Sequence, residues 1–282
     1  MNSNRSSLTR NLRVALFLAL GVVCLSFAGC GKIKSKLDSF LHPNHEAAKP
    51  HPAAPHPSHP TVSGPRLAII LDDVGSDAAA VDTIFSLHYP LTLSILPNHP
   101  RSAEIAEDAH HRGYQIMLHL PMESVANEKP EVQELRPGMS PAEIANVIAS
   151  MLHTVPFAAG VNNHQGSLAT SNPQLMAQLM PVLRNHQLFF IDSRTTAATV
   201  AYDAAEHAGV PCAFRNVPFL DDVQEVSAIR HQLEIAAKDA HQKGQAVAIG
   251  HPHPATLRAL AEFLPQVQSQ GIRLVHASDL VH

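Results

Sequence analysis

Two adjacent acidic residues, Asp72 and Asp73, are the first place where this chain could do chemistry. Like charges side by side are unfavourable without a cation, so such a pair suits one metal ligand and one general base. The pair follows the apolar run 67–71, which is typical of a strand buried on both faces. Ligand sites of α/β folds lie at the carboxyl ends of strands, where this pair falls. A solvated loop that begins a helix, with Asp77 as its cap, is the alternative interpretation.

Polar side chains recur at the ends of nearly all later apolar runs. The candidates are His119, Glu123, Asn163, His164, Asp192, Arg194, Arg215 and His251. A single histidine of this kind is usually a loop residue with an ordinary partner, but several that converge at one barrel mouth are hard to explain by packing. Carboxylate and imidazole ligands together favour a divalent metal, zinc above others, which could activate a water molecule for hydrolysis. By contrast, His99, His253 and His276 are interpreted as rim or loop residues.

Strand and helix signals alternate from residue 67 onward, which predicts a parallel β/α architecture. Strands are predicted at 67–71, 91–96, 114–118, 157–161, 188–191, 211–214, 246–249 and 272–276, and helices at 77–88, 102–112, 140–153, 173–186, 199–208, 224–242 and 255–268. The economical fold for this pattern is one distorted (β/α) barrel at residues 66–282. A doubly wound open sheet is the alternative, which periodicity does not separate from the barrel.

Composition limits the classes of partner. The 282 residues are 45% hydrophobic, enough for a full core, and the formal net charge of −4 argues against a nucleic-acid partner. Trp is absent, which weakens the case for a long sugar-stacking groove. The 20 histidines are many, but a good share of them lie in a linker and require no catalytic explanation.

The first 65 residues have the composition of a leader and a tether. Residues 1–30 join a charged start to the apolar run 14–28 and end in Cys30 after small residues, which resembles a bacterial lipobox with Cys30 as the lipidated residue. We expect export to the cell envelope or periplasm and a lipid anchor in the membrane. Phe27 departs from the usual aliphatic residue, so ordinary cleavage or an uncleaved anchor stays open. Residues 31–65 are rich in Pro and His, which is typical of an extended spacer without a core.

Five stretches of the predicted domain resemble the divergent polysaccharide deacetylase family, distant relatives of the metal-dependent carbohydrate esterases that remove N- or O-acetyl groups. They are Ile70-Leu71-Asp72-Asp73-Val74-Gly75, Leu118-His119-Leu120-Pro121-Met122-Glu123, Val161-Asn162-Asn163-His164, Ile191-Asp192-Ser193-Arg194-Thr195 and Ile249-Gly250-His251-Pro252. The resemblance implies a distorted barrel usually counted as seven strands, so an eighth strand could lie outside it. It also implies a carbohydrate substrate.

The same resemblance implies a role for each main candidate. Asp73 looks like a metal ligand and Asp72 like the base, although Val74 stands where ordinary deacetylases have a Gly directly after the pair. Ordinary enzymes take two metal histidines from one His-x-x-x-His turn. This chain has His119 followed four positions later by Glu123, and His164 looks like the replacement ligand. His251 matches the general acid.

Two further sets of residues have competing interpretations. Arg194 and Arg215 could orient the base or hold an anionic substrate group, but we favour salt bridges to Asp192, Asp221 or Asp222. The stretch 220–223 repeats the letters of 71–74, Leu-Asp-Asp-Val, and leads into a long helix. We therefore interpret it as an acidic cap of that helix, with an accessory role in the site as the alternative.

Three function classes follow. The first is a metal-dependent deacetylase acting on an envelope polysaccharide or a sugar derived from peptidoglycan. The second is a non-catalytic envelope module of the same fold. The third is another metal-dependent hydrolase such as a phosphoesterase, against which the absence of a phosphate-cradling Gly loop counts mildly.

Overall fold

The computed structural model describes residues 64–126 and 129–282. The predicted leader, Cys30 and nearly all of the predicted tether lie outside the described residues. The strands are β1 Arg66–Val74, β2 Thr92–Ile95, β3 Gln115–Met122, β4 Ala158–Gln165, β5 Phe189–Asp192, β6 Cys212–Phe214, β7 Gln245–Gly250 and β8 Arg273–Val275. The helices are α1 Ala78–Leu87, α2 Ser102–His111, α3 Pro141–Thr154, α4 Pro173–Asn185, α5 Ala201–His207, α6 Val226–Lys243 and α7 Pro254–Ser269, and a 3-10 turn follows at Ala277–Leu280.

Local chemistry fixes several helix ends. At α3 the Ser140 side chain accepts from the Glu143 main chain and the Glu143 carboxylate accepts from Ser140, a reciprocal capping box. At the carboxyl end of α6, Gly244 takes a left-handed conformation with φ 84°, which costs little free energy for a glycine. Among the described helices, none is long and apolar enough to cross a membrane.

The strands form a nearly closed parallel barrel. Their order is β6-β5-β4-β3-β2-β1-β7, and β8 pairs only with the first residues of β1. The prediction of a seven-stranded distorted barrel is thereby confirmed, with the eighth strand outside it. Between β6 and β7 the segment after β6 replaces strand pairing: the Asn216 and Leu220 main-chain N–H groups donate to Val247 and Ile249 at 2.9 Å.

Side-chain alternation along the strands separates two cores. Odd-numbered β1 residues such as Leu67 and Ile69 pack with the helices in the outer core, whereas Ala68 and Ile70 belong to a smaller inner core that fills the barrel. The inner core also holds Met117, Phe189, Ile191, Val247, Ile249, Val275, Ala277 and Leu280. Gly160 makes room for it, because a Cβ at Gly160 would lie 2.4 Å from the Phe189 ring.

The 3-10 turn closes the amino-terminal end of the barrel. Ala277 and Leu280 are fully buried, and the Ala277 N–H donates to the Thr92 hydroxyl at 3.0 Å. The Gln115 side chain binds both the Ser278 N–H and the Ser278 hydroxyl. Hydrogen bonds from β2 and β3 therefore hold the turn against the inner core.

Strands β3 and β4 run about four residues further than their apolar runs predict. Their pairing continues to Met122 opposite Gln165, so His119 and His164 lie within strands rather than in the loops that follow. The reason is that the inner face turns polar at this end of the barrel while the hydrogen-bonded ladder goes on.

Candidate metal centre

The alternation of side chains along the strands, which builds the inner core, also places the polar residues of the site. Inner-core positions Ile70, Met117, Ile191 and Ile249 lie two residues before Asp72, His119, Ser193 and His251 respectively. Because side chains two residues apart on a strand point to the same face, these four polar groups converge at the carboxyl end of the barrel interior. Asn162 lies beside His119 in register on β4, and His164 follows on the same face.

A bulge in β1 brings the second acidic residue to the site. The register of β1 against β2 shifts between Leu71 and Val74, and Asp73 within this bulge has φ 57°. Asp tolerates the left-handed region better than most residues. Without the bulge, Asp72 and Asp73 would point to opposite faces. With it, Asp72 is buried and Asp73 reaches the histidines with its side chain 38% exposed.

Asp73, His119 and His164 form a compact three-membered donor set. Oδ1 of Asp73 lies 3.1 Å from Nε2 of His119 and 3.0 Å from Nδ1 of His164, and the two ring nitrogens lie 3.2 Å apart. Ligands about 2.0–2.1 Å from a tetrahedral zinc ion lie about 3.3 Å from one another. The three donors therefore already have the spacing of one face of such a site.

Hydrogen bonding around His119 adds a second reason for a cation. The Asn162 amide donates to Oδ1 of Asp72 at 2.8 Å, so its carbonyl oxygen faces Nδ1 of His119 at 2.9 Å and that nitrogen must donate. Ser94 donates to the same oxygen of Asn162. In a neutral His119 ring, Nε2 would then present a lone pair to the oxygen of Asp73. Either extra protons or a metal ion must sit among these donors, and the residues present fit a metal.

The surroundings shift the pKa values of Asp72 and Asp73 in opposite directions. Burial opposes the charged form of Asp73, but hydrogen bonds from His119 and His164 outweigh it and hold the pKa of Asp73 far below its usual value. Burial dominates at Asp72 and raises the pKa of that carboxyl, against the opposing charges of His119 and His251. The two neighbouring acids thus have pKa values pushed in opposite directions, a pattern typical of paired carboxyls with different chemical roles.

His251 directly follows β7, faces the cluster with one ring nitrogen and contacts Asp221 with the other. Its Nδ1 lies 3.0 Å from Oδ1 of Asp221, its main-chain N–H donates to Oδ2 at 2.6 Å, and its Nε2 lies 3.9 Å from Oδ2 of Asp73. Thr256 also donates to Asp221, at 2.8 Å. Burial disfavours the protonated ring, but the hydrogen bond to Asp221 and the charge of Asp72 raise the pKa of His251 to about 9.

The helix-cap interpretation of Asp221 is therefore wrong. Helix α6 begins at Val226, two residues later than predicted, while Asp221 is buried against His251 and Thr256. The main-chain bond from Leu220 to Ile249 directs Asp221 toward β7 rather than toward the helix. The contacts of Asp221 with His251 and Thr256 agree with the alternative interpretation, an accessory role in the site.

Three of the predicted supporting residues shape loops at the site rather than entering the cluster. Glu123 acts through its main chain, which donates to Leu135 and accepts from Ala169. The Asn163 side chain accepts from the Ser193 N–H at 2.9 Å and so ties β4 to β5. Buried Asp192 accepts from the Arg194 N–H, the Thr199 hydroxyl and the Tyr202 N–H, which holds the loop before α5.

The expected salt bridges of Arg194 and Arg215 are not formed within the described residues. The Arg215 guanidinium instead donates to the main-chain carbonyls of Ser193, Arg194 and Val217 and lies over the Phe219 ring at 4.0 Å. The Arg194 guanidinium lies 3.5 Å over the Phe214 ring. Aromatic faces and carbonyl oxygens are alternative partners for a planar guanidinium, and sequence patterns do not reveal which partner is used.

Two site residues were not among the predicted set. Asn162 orients both His119 and Asp72, and Asp221 orients His251. The signals were present, because Asn162 stands in the motif that ends in His164 and Asp221 stands in the repeated Leu-Asp-Asp-Val.

Comparison with known proteins shows similarity to one protein family, to two bacterial relatives and to a solved structure. The family model for divergent polysaccharide deacetylases matches residues 69–281. The uncharacterized protein YibQ of Escherichia coli (strain K12) is 39% identical over 230 residues, 82% of this chain and 72% of that protein. An uncharacterized protein of Haemophilus influenzae is 37% identical over 215 residues, 76% of each chain. The crystal structure of the uncharacterized protein ATU2773 from Agrobacterium tumefaciens C58 has a TM-score of 0.71 at 22% identity, covering 78% of this chain and 91% of that one. At that identity the last likeness concerns the fold alone.

Proposed function

Because the chain belongs to the divergent polysaccharide deacetylase family, we propose that it is a metal-dependent hydrolase. Its substrate in this proposal is an acetylated envelope polysaccharide or a sugar derived from peptidoglycan. The observation that carries the proposal is the convergence of three metal donors, a buried carboxyl and a paired histidine at one barrel mouth.

The proposed metal ligands are Asp73, His119 and His164, and the proposed metal is zinc. Two nitrogen donors and one carboxylate suit zinc better than magnesium or calcium, which prefer all-oxygen sites. Asn162 supports this assignment, since its hydrogen bond leaves Nε2 of His119 free to bind. A bound zinc ion supplies Lewis-acid polarisation of a carbonyl and of a water molecule.

The remaining chemistry belongs to the chain's own side chains. In hydrolysis of an N-acetyl group, Asp72 accepts the proton of the attacking water. Burial raises the pKa of Asp72, which makes its carboxylate a stronger base. His251 donates a proton to the leaving nitrogen as the carbon–nitrogen bond breaks. The products are acetate and a free amine. Asp221 keeps His251 oriented and protonated near neutral pH.

The test combines metal content with product analysis on the purified full chain. We expect one tightly bound equivalent of zinc in the wild type, lost in Asp73→Ala and His164→Ala. His231→Ala serves as the matched control, because His231 is an exposed histidine on α6. Acetate release from acetylated chitooligosaccharides and peptidoglycan fragments should follow the same pattern.

Each negative result points to a different class. Failure of the wild type to retain metal after reconstitution would overturn the hydrolase mechanism. Bound metal without acetate release from any acetylated glycan would indicate a non-catalytic envelope module. Phosphate release from phosphoesters would indicate the third class.

The proposal extends to location. We propose that the domain acts in the cell envelope, anchored through a lipid on Cys30, on the support of the leader composition of residues 1–30. Metabolic labelling with a radioactive fatty acid should mark the wild type and not Cys30→Ala. Equal labelling of both would exclude Cys30 as the lipidated residue.

A further inference from the structure

A second cluster of metal-type donors lies on the far side of His251. Within the described residues, Asp221, His251 and His253 each offer one ligand atom, and these three atoms lie within 4.8 Å of one another. The rings of His251 and His253 are 5.8 Å apart between centroids. His251 therefore stands between two donor sets, with Nε2 toward Asp73 and Nδ1 toward Asp221.

The three donors are held on stiff backbone. His253 lies between Pro252 and Pro254, whose rings fix φ, and its N–H donates to the His251 carbonyl at 2.8 Å in a tight turn. His253 is the residue before α7, yet its imidazole makes no capping hydrogen bond. Asp221 is anchored by Thr256. Little freedom is lost when such groups bind a ligand, which favours binding.

We propose that Asp221, His251 and His253 form a second zinc site whose occupancy removes His251 from proton transfer. One carboxylate and two imidazoles are a zinc-type donor set.

The second site is weaker than the first. The donors around Asp73 lie 3.0–3.2 Å apart. In the second set Nδ1 of His251 and Oδ1 of Asp221 are 3.0 Å apart, so a hydrogen bond already occupies two of its donors. The cation would also have to replace the proton between Asp221 and His251. Repulsion from a first zinc ion lowers the affinity further. The second equivalent is thus expected only at excess zinc.

Occupancy has a chemical consequence that rests on the proposed function. With zinc on Nδ1, the His251 ring is neutral, and release of the proton on Nε2 would create an imidazolate, which is unfavourable at neutral pH. His251 then no longer protonates a leaving nitrogen. Excess zinc should inhibit the enzyme that the first zinc activates.

His253→Asn is the variant that tests the site. Asn is a preferred residue before a helix, so α7 should begin normally, while its amide is a poor zinc ligand. Zinc is titrated calorimetrically into the full chain of the wild type and the variant, and His253→Gln is a second variant should the first fold poorly. His231→Asn on the exposed face of α6 is the control. Zinc bound by histidines other than His231 and His253 is common to all four proteins.

We expect the wild type and the His231→Asn control to bind one more weakly held equivalent of zinc than either His253 variant. All four proteins should bind the tightly held equivalent. Inhibition by excess zinc should likewise disappear in the His253 variants. Equal numbers of equivalents in all four proteins would overturn the second site, and equal inhibition would overturn its effect on His251. Loss of the weak equivalent in a chain without any turnover would support the second site and count against the proposed function alone.

Discussion

Oδ1 of Asn162 lies 2.9 Å from Nδ1 of His119, and this contact determines which nitrogen of the ring faces Asp73. The orientation of the amide is itself set by its other end, which donates to Asp72. One side chain on β4 therefore positions both a proposed metal ligand and the proposed base.

Replacing Asn162 by Ala should weaken metal binding without removing a ligand. Loss of a group that orients a ligating histidine typically lowers metal affinity by about 10–100-fold. Competition with a chromophoric zinc chelator measures the change. Asn172→Ala is the control: Asn172 caps α4 by accepting from Leu175, so its loss should cost about 1 kcal/mol of stability and leave zinc affinity unchanged. Equal zinc affinity in Asn162→Ala would refute the orienting role.

Replacing Asp221 by Asn should move the alkaline limit of activity to lower pH. The carboxylate of Asp221 helps to raise the pKa of His251 to about 9, and an amide would not. Since the proposed donor must carry its proton, activity is full below the pKa of His251 and falls as pH rises through it. A lower pKa brings that fall to a lower pH. The measurement is the pH profile of kcat/KM.

The neighbouring acid supplies the control for that profile. Asp222 is exposed, and the carboxylates that raise the pKa of His251 are Asp221, Asp72 and Asp73. Asp222→Asn should therefore keep the wild-type alkaline limit. A parallel shift in both variants would mean that general surface charge, rather than the hydrogen bond from Asp221, governs the profile.

Adding one methyl group at Gly160 should destabilise the barrel. The new Cβ would fall 2.4 Å from the Phe189 ring, and overpacking of this kind costs about 1–3 kcal/mol or more. Urea denaturation of Gly160→Ala measures the loss. A smaller side chain at Phe189 should relieve the clash, so Gly160→Ala combined with Phe189→Leu should lose less than the sum of the two single changes. Strict additivity would argue against the contact.

Truncating Leu280 tests the closure of the barrel by the carboxyl-terminal turn. Leu280 is fully buried in the inner core, and Leu280→Ala should cost about 2–5 kcal/mol in free energy of unfolding. Val223→Ala, at a side chain that is 56% exposed, should change it by less than about 0.5 kcal/mol. Similar values for the two would show that the turn adds no packing energy.

Strand and helix alternation predicted a parallel β/α fold and strand-end polarity selected the candidate residues, whereas the resemblance to divergent deacetylases implied the seven-stranded barrel and the roles of five residues that meet at its mouth. The residues Asp72, Asp73, His119, His164 and His251 follow from apolar runs whose carboxyl ends must lie together. The bulge at Asp73 was not predictable, because a positive φ at a non-glycine residue leaves no mark in hydrophobic periodicity. Asp221 was wrongly predicted to cap α6, because an acidic residue before a helix can either cap that helix or take part in a neighbouring site. Only the hydrogen bond between Leu220 and Ile249 decides between these two roles.

The seam between β6 and β7 affects whether another copy of the chain can pair with the edge of β7. At the seam Asn216 satisfies both main-chain groups of Val247, donating through its N–H and accepting through Oδ1 at 2.7 Å. An unpaired strand edge is a template on which another chain can add a strand and begin aggregation. With one residue taking up the hydrogen bonds of Val247, this position on β7 offers no such template, although strand pairing does not complete the barrel there.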